Sequence, residues 1–228
     1  MRFLLTNDDG IDAPGLAALE QAVAELGTSV TVAPDQHLSG CSHQSTTHRP
    51  LVLKTYGERR YALNGTPVDC ARVGLTHLAS ETDWVISGIN EGANLGADVY
   101  PSGTVAAARE ATLLGKPAVA VSHYLKRRQP ADWSTAADWV AEVLRTLLAR
   151  PPARGSFWNV NLPHLDPGAH MPDVVFCDLD PNPLPVNFRR EGEHYHYEAS
   201  YHDRLREAGR DVERCLAGNI VVTYLSLL

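Results

Sequence analysis

Hydrophobic positions along the chain follow two periods, and the switches between them mark out its elements. Met1 to Leu5 read as a strand-type run that ends in two adjacent carboxylates and a glycine, Asp8-Asp9-Gly10. Leu16, Leu19, Val23 and Leu26 then recur at helical spacing, so a helix follows the turn. Asp12 is placed to cap it, with Pro14 in its first turn. Residues 28–33 form a second β-rich run, ended by Pro34 and Asp35. Strand, helix and strand make a βαβ unit, whose crossover is right-handed. A polar loop follows over residues 36–45, and residues 50–63 read as two short strands around Gly57-Glu58.

Asn64-Gly65-Thr66-Pro67 opens the next helix, with Thr66 as cap and Pro67 in the first turn. Its apolar portion takes in Val68, Val73 and Leu75. Trp84-Val85-Ile86 suit a buried parallel strand that leads out through Asn90. A glycine-rich loop then reaches Ser102-Gly103-Thr104, which starts a helix through Glu110. Strands are expected at 118–121 and 157–162. A long helix between them runs from near Ser134 to Leu148, with Ala137, Val140, Leu144 and Leu147 on one face. The pattern predicts an α/β fold: a Rossmann-like, mostly parallel sheet with helices on both faces. Residues 1–162 form the expected Rossmann-like core.

From residue 163 the pattern breaks. Prolines recur at 163, 167, 172, 181, 183 and 185, and residues 186–214 are charged and aromatic with few core-type side chains. Ile220-Val221-Val222-Thr223 reads as a final strand. Residues 163–228 are therefore expected to be a C-terminal arm or β-extension that docks on the core or on a second subunit.

Composition narrows the classes. The chain has 228 residues, enough for one sizeable core. Its net charge of -7 fits neither a nucleic-acid coat protein nor a binder of anionic membranes. Cys41, Cys70, Cys177 and Cys215 lie far apart, so neither a zinc pair nor a disulfide framework is suggested. The chain enters a strand at once, without a signal-peptide pattern, and a cytoplasmic setting is expected. No nucleic-acid duplex and no membrane is expected as a partner.

The candidate chemistry follows from topology. Turns after parallel strands lie at one edge of the sheet, where ligands bind. Asp8 and Asp9 repel each other there, and a hard cation relieves that repulsion. The alternative is that both carboxylates only serve the positive end of the following helix. Ser39 and Asn90 also follow predicted parallel strands. With Asp8 and Asp9 they form an all-oxygen set suited to one divalent cation per subunit, Mg²⁺ or Mn²⁺, with Ca²⁺ as a possible structural substitute. Ser102, Gly103 and Thr104 at a helix start suit an anion, with two hydroxyls expected to face outward. Asn94 can add an amide donor. Metal and helix terminus together would hold a phosphoryl group. The metal would also polarise it and activate or orient a water.

Five blocks in order resemble the SurE family of metal-dependent nucleoside-monophosphate phosphatases. They are Asn7-Asp8-Asp9-Gly10, Ser39-Gly40, Gly65-Thr66-Pro67-Val68-Asp69-Cys70, Ser87-Gly88-Ile89-Asn90 with Gly92, Asn94, Leu95 and Gly96, and Ser102-Gly103-Thr104-Val105-Ala106-Ala107-Ala108. The resemblance covers residues 1 to about 122 closely, and weakens through Asn159-Val160-Asn161-Leu162-Pro163. It implies hydrolysis of nucleoside 5′- and 3′-monophosphates, a swapped arm, and a homodimer or homotetramer. It puts metal ligands on Asp8, Asp9, Ser39 and Asn90, and phosphate contacts on Asn94, Ser102, Gly103 and Thr104. Two features depart from the family. Pro101 stands where a tyrosine usually precedes Ser-Gly-Thr, and the chain stops at Leu228 where relatives often continue.

Other residues have more ordinary readings beside functional ones. His37, His43 and His48 flank the Ser39 loop, and one of them could be a general acid. His194, His196 and His202 have metal-like spacing on a polar arm. Asp69, Cys70 and Asp98 are candidates for support of the site. A receiver-type domain would want an aspartate at Asn90, and a dinucleotide module would want G-x-G-x-x-G after the first strand. A non-catalytic metal- or nucleotide-binding protein is the remaining alternative.

Overall fold

The N-terminal run becomes β1 (Arg2–Thr6), flanked on both sides by parallel partners, β2 (Thr28–Pro34) and β5 (Trp84–Glu91). The computed structural model describes residues 1–126, 129–164, 168–198 and 203–227. Within them this trio extends into a nine-stranded sheet. The outer strands on one side are β4 (Arg60–Leu63) and β3 (Leu53–Gly57). On the other side lie β6 (Ala118–His123), β7 (Ser156–Leu162), then, last in the chain, β11 (Ile220–Ser226), and finally β8 (Val174–Phe176). Every neighbouring pair from β4 to β7 is parallel. β3 joins β4 antiparallel, and β11 joins β7 antiparallel with β8 running parallel to it. The mostly parallel α/β sheet read from the sequence is the fold of the chain.

Alternation along β1 sets the two faces. Phe3 and Leu5 pack with α1 (Pro14–Ala24) and α4 (Trp133–Leu148). Leu4 packs on the other side, with α2 (Pro67–Val73) and α3 (Gly103–Leu113). Each of these three side chains is at most 1% exposed, and burying each stabilises by roughly 1.5–3 kcal/mol. A one-residue slip of β1 would exchange the faces, so its register is firmly specified. α1 lies directly on β5: a Cβ at Gly15 would come within 2.0 Å of the Ile89 carbonyl oxygen.

The helix ends follow the sequence with one correction. Thr66 caps α2 in a reciprocal capping box with Asp69, and Pro67 opens the helix. α2 then widens into a π-helical turn, Gly74–Leu78, which buries Leu75. α1, however, is capped at Ala13, without a side-chain bond. Asp12 is turned aside instead, accepting a hydrogen bond from the Tyr56 hydroxyl at 2.6 Å.

The last third joins the core at several points. The short α5 (Asp211–Leu216) buries Val212 and Cys215 beside Leu95, Tyr124 and Val221. Arg204, fully buried, pairs with Asp98 at 2.9 Å. Between these and β8 lies an antiparallel hairpin, β9 (Phe188–Glu191) and β10 (His194–Tyr197), exposed along its whole length. No helix among the described residues is long and apolar enough to cross a membrane.

Candidate metal and phosphate site

The acidic turn after β1 is shaped by Asn7. Its side-chain amide donates to the Gly10 carbonyl at 2.9 Å and accepts from the Gly10 N–H at 3.1 Å. The Ile11 N–H then reaches the Pro34 carbonyl at the end of β2, at 2.9 Å. Asp8 and Asp9 are thus held at the carboxyl edge of the sheet.

Asp8 is 3% exposed, and its Oδ1 accepts from the Thr104 hydroxyl. That hydroxyl is also 3.2 Å from Asn90 Oδ1. Asn90 Nδ2 donates to the Gly92 carbonyl at 2.7 Å, which leaves the amide oxygen facing Thr104. One hydroxyl hydrogen therefore faces two acceptors, a carboxylate from β1 and a carbonyl from β5. Burial pushes the Asp8 carboxyl up to about 6; the Thr104 hydroxyl opposes this and the Asp9 charge adds to it. Asp9 is tied down separately. Its Oδ2 accepts from the Glu91 N–H at 2.9 Å, and its Oδ1 lies 3.3 Å from Nδ1 of the exposed His37.

Ser39 stands in the loop after β2 and is exposed. The loop is joined to the acidic turn through the Leu38 N–H, which donates to the Asp8 carbonyl at 2.8 Å. No hydrogen bond of its own fixes Ser39 among the described residues.

α3 arrives against Asp8 with no room for a side chain at its first residue. A Cβ at Gly103 would lie 2.9 Å from Asp8 Oδ2 and 2.8 Å from Cys41 Sγ. Gly103→Ala is expected to cost about 1–3 kcal/mol of stability. It should also lower any activity at this site more than a comparable change at the far end of α3. Thermal melts beside turnover measurements check this, and an unchanged protein would show that the approach is not constrained.

The hydroxyls of Ser102 and Thr104 do not face outward as expected. Ser102 Oγ caps α3 by accepting from the Val105 N–H at 3.0 Å, and Thr104 Oγ1 is drawn to Asp8. Ser102 serves the free N–H groups of the helix start, and for Thr104 the reason is the close approach of Asp8, which offers a buried hydroxyl a stronger, charged acceptor than water. Asn94 is likewise less free than expected: its Nδ2 donates to Ser122 Oγ at 2.8 Å. Its backbone is held by Asn159 and Asn161. Those two asparagines and Asn7 stand in the blocks quoted from the sequence but have no role assigned there, and Ser122 is not singled out. Asn159 and Asn161 gave a signal, two amides spaced by two on a buried strand.

The remaining candidates divide. His43 contacts Glu110, His48 is exposed, and Asp69 serves the capping box and the Thr46 N–H. His194 and His196 lie on the exposed hairpin, and His202 lies outside the described residues. Among the described residues no three or more His, Cys, Asp or Glu side chains form a group that could hold a metal. The edge of the sheet instead offers two carboxylates with neutral oxygens. That donor set fits a hard cation, because it combines carboxylate charge with amide and hydroxyl oxygen.

Fold and site together define a doubly wound α/β protein whose acidic pair meets a helix N-terminus at the sheet edge. Comparison with known proteins gives the particular family. Residues 3–182 match the survival protein SurE family, and the chain belongs to it. A Nostoc sp. protein, provisionally named a 5′-nucleotidase, is 51% identical over 99% of both chains. The 5′-nucleotidase SurE of Paramagnetospirillum magneticum is 46% identical over 72% of this chain and 64% of its own. The crystal structure of the SurE protein from Aquifex aeolicus aligns with a TM-score of 0.88 at 32% identity. It covers 100% of this chain and 94% of that one.

Proposed function

We propose that the chain is a divalent-metal-dependent phosphatase that hydrolyses nucleoside monophosphates, 5′- and/or 3′-nucleotides, to nucleoside and phosphate. The observation that carries this reading is the convergence of the Asp8 carboxylate and the Asn90 carbonyl on Thr104, beside Asp9 and at the start of α3. The 5′-nucleotidase names of relatives point to the same substrate class, and metal dependence goes with the SurE family.

Asp8, Asp9, Ser39 and Asn90 would hold the cation, Mg²⁺ or Mn²⁺. When bound, it supplies charge neutralisation and polarisation of the phosphoryl group. The N-terminal turn of α3 would then receive the phosphate oxygens, with Thr104 holding Asp8 and Asn90 beside them and Gly103 keeping that approach open. Asn94 acts through the loop it anchors. Asp9, with one oxygen fixed by Glu91, can orient the attacking water. His37, 3.3 Å from Asp9, would give a proton to the departing hydroxyl oxygen. The exposed aromatic hairpin is the segment we assign to subunit contact in a homodimer or homotetramer.

Phosphate release from a nucleotide panel, with chelator and with added Mg²⁺ or Mn²⁺, tests the reading. Release from nucleoside monophosphates that needs added metal is expected. Equal release in chelator, or none from any nucleotide at saturating metal, would overturn it.

A further inference from the structure

Glu110 takes no part in the chemistry above, yet it is a buried carboxylate on α3, six residues beyond Thr104. Its Oε1 accepts from Arg72 Nε on α2 at 2.6 Å, and its Oε2 lies 2.8 Å from His43 Nε2 in the Ser39 loop. The Glu110 side chain is 4% exposed. Gly103, Ala107 and Glu110 are spaced four and three residues apart, so they share one face of α3. The loop runs along that face, with Cys41 against Gly103 and His43 against Glu110.

Ser39 needs such a fastening. On its N-terminal side the loop is held by the Leu38 N–H on Asp8, and on its C-terminal side by Ser42 on the Tyr100 and Pro101 carbonyls. The His43–Glu110 contact ties the loop, side chain to side chain, to the helix carrying Thr104. A carboxylate buried to this degree is costly unless partnered, and Arg72 and His43 are its partners.

We propose that Glu110 is a positioning residue. Through His43 it fixes the loop, and with it the Ser39 oxygen, against Asp8 and Asp9. This rests on the metal-site reading above, because the position of Ser39 matters only if it helps to hold a cation.

The test is Mn²⁺ binding to the substrate-free full chain, followed by electron paramagnetic resonance, beside turnover as a function of Mn²⁺. Glu110→Gln is expected to raise the Mn²⁺ dissociation constant by about tenfold, within the range for residues that orient metal ligands. Turnover should be recovered towards the wild-type level at saturating Mn²⁺, because the defect lies in holding the metal. His43→Gln, a change on a partly exposed loop residue, should give the same rise, and the double variant no more than either single one. In a Ser39→Ala background Glu110→Gln should change Mn²⁺ affinity no further, an outcome a general loss of stability would not produce. Unchanged affinity in both Glu110→Gln and His43→Gln, or effects additive with Ser39→Ala, overturns the proposal. Asp9→Asn separates the two levels. If it loses Mn²⁺ while Glu110→Gln does not, the positioning role alone falls. If it binds Mn²⁺ like wild type, the metal-site reading falls and takes the positioning role with it.

Discussion

Asp9→Asn is expected to lower metal-dependent phosphate release by on the order of a thousandfold, the scale of removing one preorganised electrostatic contact. The substitution is isosteric, and the asparagine oxygen can still accept the Glu91 N–H that holds Asp9 Oδ2. The fold should therefore survive, and only the charge is lost. Neutralising one of two adjacent carboxylates halves the charge offered to a cation, so metal affinity should fall with turnover. Initial rates at saturating Mg²⁺ or Mn²⁺, beside circular dichroism of the variant, make the measurement. A folded variant that turns over like wild type at saturating metal would remove Asp9 from the mechanism.

The second large effect concerns stability. The Asp8 carboxyl is pushed from an ordinary 3.8 up to about 6 by burial. Between these values the folded chain keeps a proton that the unfolded chain has released. Stability from this group is thus present below pH 4, declines as pH rises, and is gone above pH 6. The full difference corresponds to roughly 3 kcal/mol at most. In chelator at pH 7, Asp8→Asn should be more stable than wild type by about 1–3 kcal/mol, and the two should converge towards pH 4. Urea melts across pH 4–7 decide it. If the gap between variant and wild type does not widen with pH, burial of a charged Asp8 carries no cost. The same substitution should abolish turnover, so Asp8 exchanges stability for function.

Much of this was legible in the sequence, and the misses share a cause. The acidic turn after an apolar run, the Thr66-Pro67 helix start and the apolar stripe of α4 are local signals, and each stands where the pattern put it. The grip of Thr104 on Asp8 spans 96 residues and depends on β1 lying beside β5, an arrangement no local period encodes. Asp12 failed as a cap because a tyrosine from a distant hairpin claimed it. α5 and β8 are too short for a period to register. Glu110 leaves a trace in the sequence, a lone carboxylate in the alanine-rich run Ala106–Ala111. A charge there, with a buried helix around it, signals a partner elsewhere in the chain.

The distance in sequence between Asp8 and Thr104 has a thermodynamic consequence. Neither the first βαβ segment nor the α3 region alone contains a complete set of donors, so a denatured chain offers a ligand no comparable grip. Anything that engages both ends of this set binds the native form almost exclusively. By mass action it then shifts the unfolding equilibrium by about 2.7 kcal/mol at a hundred times its dissociation constant. The melting temperature becomes a titration curve for the assembled pocket, legible even when no product is formed.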